Sequence, residues 1–101
     1  MSIRELLQSN REAILTLAAK HGARNVRVFG SAARGEERKD SDIDFLVAFE
    51  PTASLMDHAA LLADLEALLG RKVDVAPDDR LRPRIKDRVL REAVPVELLA
   101  H

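Results

Sequence analysis

The sequence has no cysteine, no tryptophan and no tyrosine, and its only aromatic residues are Phe29, Phe45 and Phe49. Without cysteine, disulfide frameworks, thiolate zinc sites and cysteine nucleophiles are excluded. Three phenylalanines leave no material for an aromatic cage or a base-stacking platform, and the chain offers no tyrosine hydroxyl for modification. An excess of either charge is missing too. Sixteen Lys/Arg stand against seventeen Asp/Glu, a formal net charge of −1, so whole-chain charge gives no reason to expect nucleic-acid or membrane binding. No apolar run approaches the roughly 18 residues of a membrane span. Arg4, Glu5, Arg11 and Glu12 stand where a secretory signal would need its apolar stretch. The expectation is a cytoplasmic protein with no membrane association.

With 101 residues, 47% of them hydrophobic, the chain has the size of one domain over 1–101 and the composition of a folded one. A chain of this length can bury about 60–70% of its surface. Ser2 and Glu5 form a capping box ahead of a helix over about 3–20, whose apolar face is Ile3, Leu7, Ile14, Leu17 and Ala18. Residues 25–29 (NVRVF) alternate as a strand, and 32–34 fit a short helix. Residues 36–41 are wholly polar and are expected to form a loop. Residues 43–49 (IDFLVAF) form a second strand, and Leu55 to Leu69 keep a helical period up to Gly70. Residues 72–76 (KVDVA) alternate as a third strand, Pro83 opens a last helix, and 94–96 suit a short edge strand. The order is α-β-α-β-α-β-α, an α/β (α+β) architecture with a small sheet flanked by helices.

Two acids interrupt the apolar second strand. A period of two places Asp42 and Asp44 on one face, opposite Ile43, Phe45 and Val47. Asp74 repeats the anomaly between Val73 and Val75, so neighbouring strands would bring three carboxylates to one sheet face. Like charges so close raise one another's pKa values unless compensated, and a hard cation such as Mg²⁺ is the natural compensator. Two such ions could clamp both oxygens of a phosphoryl displacement. Singly, Asp42 could be a turn acid and Asp44 an edge-strand charge facing water. Upstream, Gly30-Ser31 between a strand and a short helix allows backbone N–H groups to approach a phosphate. Arg34, one turn on, could pair with a phosphate oxygen.

These residues together resemble a known family. The stretch reads G-S, ten residues, then D-I-D, at Gly30, Ser31, Asp42 and Asp44, with A-R-G at 33–35 and S-D-I-D at 41–44. It is similar to the nucleotidyltransferase superfamily typified by DNA polymerase β. The likeness is strongest to its minimal members, the MNT-domain antitoxins of HEPN/MNT toxin–antitoxin pairs, and extends over essentially the whole chain. The resemblance implies a mixed sheet of the nucleotidyltransferase fold, with Gly30 and Ser31 holding the triphosphate of ATP. Asp42, Asp44 and Asp74 would be the catalytic and metal-ligating triad for two Mg²⁺ ions, with Asp74 also accepting the proton of the attacking hydroxyl. It further implies AMP transfer to a tyrosine of a HEPN toxin ribonuclease in a hetero-oligomer, a target this tyrosine-free chain can reach only in trans. Two alternatives stand beside it: an antitoxin that neutralises by binding alone, and nucleotidyl transfer to a small molecule or RNA. The chain ends where larger relatives continue into an acceptor-binding helical domain, which favours an acceptor presented by another molecule.

Between Arg71 and Glu92 lie eight basic residues (71, 72, 80, 82, 84, 86, 88, 91) against five acids (74, 78, 79, 87, 92). A solvated helix face is the plain reading, and a basic rim for nucleotide, RNA or an acidic partner is the alternative. His21, His58 and His101 are scattered and suggest no site.

Overall fold

The structure, a computed structural model, describes residues 2–35 and 42–99; the loop expected over 36–41 and His101 lie outside them. The helix expected over 3–20 is two helices, α1 (Ile3–Ser9) and α2 (Arg11–Lys20). Asn10 separates them. Its side-chain amide donates to the Leu6 carbonyl at 2.8 Å, and its backbone sits at φ −111°, ψ 13°, outside the helical well. Asparagine offers the backbone this local alternative to the helical ladder. Then follow β1 (Ala23–Phe29), α3 (Ser31–Arg34), β2 (Ile43–Phe49), α4 (Leu55–Leu69), β3 (Val73–Pro77), α5 (Pro83–Glu92) and β4 (Val94–Pro95). Short 3₁₀ turns cover Asp78–Arg80 and Val96–Leu98.

The four strands form one mixed sheet in the order β3-β2-β1-β4. β1 runs antiparallel to β2 and β4, whereas β2 and β3 are parallel. Parallel neighbours need a crossover connection, and α4 is that connection. β1 begins two residues earlier than its alternation suggests, because its pairing with β2 shifts between Arg24 and Arg27. Asn25 sits in the irregularity at φ 52°, a left-handed conformation that asparagine tolerates better than most residues.

One face of the sheet carries the core. α2 packs on β1 and α4 on β3, enclosing Val28, Ile43, Phe45, Val47, Val73 and Val75 against Ile14, Leu61 and Leu65. Alternation then turns Asp44 and Leu46 to the other face. Leu46 is fully buried there, outside the main cluster; Val89 of α5 is buried and outside that cluster as well. α4 is held at its start by a second capping box: the Ser54 hydroxyl accepts from the Asp57 N–H at 3.2 Å, and the Asp57 carboxylate accepts from the Ser54 N–H at 2.8 Å. Replacing Ser54 by Ala removes one half of that exchange. The expected cost is about 1 kcal/mol, read as a fall in Tm of about 4–8 °C; an unchanged Tm would show that the box contributes nothing.

Candidate active site

β1 delivers the chain to Gly30, which caps α3 at φ 69°, ψ −144°, a conformation that disfavours any side chain. There is a second reason for glycine. A Cβ built at this position would stand 2.7 Å from Oδ2 of Asp44. The backbone turn and the carboxylate are therefore in van der Waals contact, and the residue that allows it is the one without a side chain. Ser31 follows as the first residue of α3, partly exposed beside this contact.

β2 and β3 bring the acids together. Their parallel register pairs Asp44 with Asp74, and β1 places Phe29 opposite Asp44 on the other side. Asp74 is exposed, and Asp42, immediately before β2, is exposed as well. Asp44 is only partly so. Burial raises its pKa from 3.8 to about 6, the nearby charges of Asp74 and Asp42 push in the same direction, and Arg34 partly opposes them. Desolvation and like charge thus both act against the ionised form, leaving a carboxylate pair short of positive charge.

Comparison with known proteins shows the family of the chain. The nucleotidyltransferase domain family matches residues 10–96. The chain belongs to that family. The nucleotidyltransferase is 46% identical over 90 residues to the protein adenylyltransferase MntA of Thermococcus cleftensis, covering 84% of this chain and 91% of that one. A solved structure described as a minimal nucleotidyltransferase superposes with a TM-score of 0.85 at 56% identity, covering 94% of this chain and 96% of the other. A chain from the complex of tri-AMPylated Shewanella oneidensis HEPN toxin with MNT antitoxin shares the fold, with a TM-score of 0.67 and 20% identity over 89% of this chain and 71% of that one.

Among the described residues of the nucleotidyltransferase, no three His, Asp or Glu side chains form a ready-made metal cage. The donors nevertheless suit Mg²⁺, which takes one or two carboxylates and completes its octahedron with water and substrate phosphate oxygens. The electrostatic strain at Asp44 is the observation that favours a cation here. Arg34, expected at a phosphate, donates through Nη1 to Oε2 of Glu92 at 3.1 Å, tying α3 to the end of α5. Both partners are partly exposed, so the tie is worth little in stability and leaves Arg34 able to exchange one anion for another.

Two features of this enzyme were not read from the sequence. Glu92 stands in the sequence only as one acid of a charged segment. Arg27, opposite Leu46 on the Asp44 face, donates to Asp78 at 2.7 Å with its side chain 13% exposed, joining β1 to the turn after β3. Its alternation in NVRVF is the sole hint, and that reads equally as an ordinary solvent-facing position. A cavity of about 380 Å³ lies at the opposite ends of β2 and β3, lined by Phe49, Ser54, His58, Pro77 and Arg80 among others. None of the candidate site residues lines it.

Proposed function

We propose that this nucleotidyltransferase moves AMP from ATP to a hydroxyl of a separate protein, a tyrosine of a HEPN toxin ribonuclease, and so acts as that toxin's antitoxin. The observation that carries the proposal is the in-register pair Asp44–Asp74, with Asp44 packed against Gly30. Its kinship to a protein adenylyltransferase named MntA points to a protein acceptor, and the fold shared with a chain of a HEPN–MNT complex points to the partner.

In this reading Gly30 and Ser31 seat the triphosphate, and Arg34 releases Glu92 to meet a phosphate oxygen. Asp42, Asp44 and Asp74 would hold Mg²⁺, two ions in the fullest arrangement. Bound there, the metal supplies positive charge to the triphosphate and to the pyrophosphate that leaves. The acceptor oxygen attacks the α-phosphorus, and the new P–O bond forms as the bond to the bridging oxygen of pyrophosphate breaks. Asp74, exposed at the edge of the site, takes the hydroxyl proton. Positioning and charge neutralisation provide most of the rate gain.

The test is direct. The purified chain is incubated with labelled ATP, Mg²⁺ and a HEPN partner, and the partner's intact mass is followed. Wild type is expected to add AMP to the partner, whereas the Asp42→Asn/Asp44→Asn double variant adds none. Equal labelling by both would remove the acids from the reaction. Full neutralisation of the toxin by the double variant in cells would instead favour silencing by contact alone.

A further inference from the structure

α5 turns Ile85, Val89 and Glu92 inward, at the i, i+4, i+7 spacing of one helical face. Beside that face runs a stripe of Arg84, Arg88 and Arg91, all exposed. Arg80 and Arg82 are exposed just upstream. Among the described residues none of these five is in an ion pair, and Asp87 is the sole acid on the exposed side of α5. Like charges three and four residues apart oppose helix formation. With Asp87 the sole exposed acid of α5, and in no ion pair with the stripe, the helix presents an excess of positive charge suited to an external anion.

The stripe begins at the site. Glu92, one residue beyond Arg91, holds Arg34 at 3.1 Å, so the last turn of α5 stands beside the residues proposed to bind the triphosphate. From Arg91 back to Arg84 the helix covers about 10 Å at its ordinary rise. An extended segment covers that length in about three residues.

We propose that this stripe docks the acceptor protein by an acidic segment, with Asp or Glu residues about three to six positions from the hydroxyl that receives AMP. The inference rests on the nucleotidyl-transfer reading for the role of the segment, but not for its binding. RNA would offer the same negative charge. However, α5 carries no aromatic residue, so the stripe has no platform on which a base could stack.

Fluorescence anisotropy with short labelled probes tests the proposal: a tyrosine flanked by Glu and Asp, the same peptide with Lys in their place, and a single-stranded RNA of equal length. Wild type is expected to bind the acidic peptide above the other two, with affinity falling as salt rises. The Arg84→Glu/Arg88→Glu/Arg91→Glu variant should bind it at least about tenfold more weakly. The milder Arg84→Gln/Arg88→Gln/Arg91→Gln variant should fall between, and circular dichroism confirms that both fold. Equal affinity in wild type and variants, no measurable binding by wild type, or a preference for the RNA would each overturn the proposal. MgATP-induced change in Tm separates this surface from the catalytic reading. The charge-reversed variant should keep the rise seen in wild type; a wild type with no rise but with peptide binding would sink the nucleotidyl-transfer reading and leave the docking surface standing.

Discussion

Asp44→Asn is expected to make the metal-free protein more stable at pH 7 while severely impairing transfer. The sign follows from linkage. The folded state raises the Asp44 pKa from 3.8 to about 6, so folding opposes its ionisation, and the destabilisation is fully present above the folded value. As pH falls through 6 towards 3.8 the carboxylate protonates in the folded state and the penalty disappears. With Asp44 still partly open to solvent, the gain from Asn at neutral pH is expected to be about 1–2 kcal/mol. It should vanish below pH 4, so the stability curves of wild type and variant converge in acid. Mg²⁺ should reverse the order, raising the Tm of wild type and leaving that of the variant unmoved. Activity should fall about 10³-fold, equivalent to about 4 kcal/mol of transition-state stabilisation. A variant less stable than wild type at pH 7 would show that Asp44 is well compensated without a cation, removing the electrostatic argument for metal.

Gly30→Ala is the second large effect, and it reaches activity through geometry. The new methyl group would stand 2.7 Å from Oδ2 of Asp44, and alanine at φ 69°, ψ −144°, a region essentially confined to glycine, carries its own strain of about 1–3 kcal/mol. The carboxylate is the movable partner, so the clash is relieved by displacing the group proposed to meet metal and nucleotide. The stability loss should therefore stay near about 1–3 kcal/mol, while kcat/KM drops about 100-fold. A displacement of about 1 Å is enough for that. Gly30→Val should be worse in both respects. Full activity in Gly30→Ala would mean that the tight approach has no part in catalysis. Comparing MgATP binding with turnover then tells whether the loss lies in capture or in alignment.

Much of this site was legible from residue types alone. Asp44 and Asp74 each break an apolar strand at a position where alternation forces the side chain away from the core, and parallel pairing makes them direct neighbours. The short helix after Gly30 was legible from glycine and serine at a strand end. What escaped the sequence were features with no local mark. Asn10 differs from a helix-tolerant residue by a few tenths of a kcal/mol in propensity, too little to announce that its amide would turn back to Leu6 and divide one helix into two. Arg34 and Glu92 lie 58 positions apart, and Arg27 and Asp78 lie 51 apart. Their meeting depends on how α5 and the turn after β3 settle on the sheet, which no periodicity encodes.

The crossover through α4 also bears on how the enzyme comes into being. Asp44 and Asp74 become neighbours only when the intervening helix has folded back and β3 has docked alongside β2. A chain emerging from synthesis with β1 and β2 alone holds one of the two acids and has nothing to face it. Closing that loop is a non-local event, which carries a loop-closure entropy that a hairpin avoids. The paired site therefore cannot be assembled from β1 and β2 alone: it exists only once that one strand pairing is made.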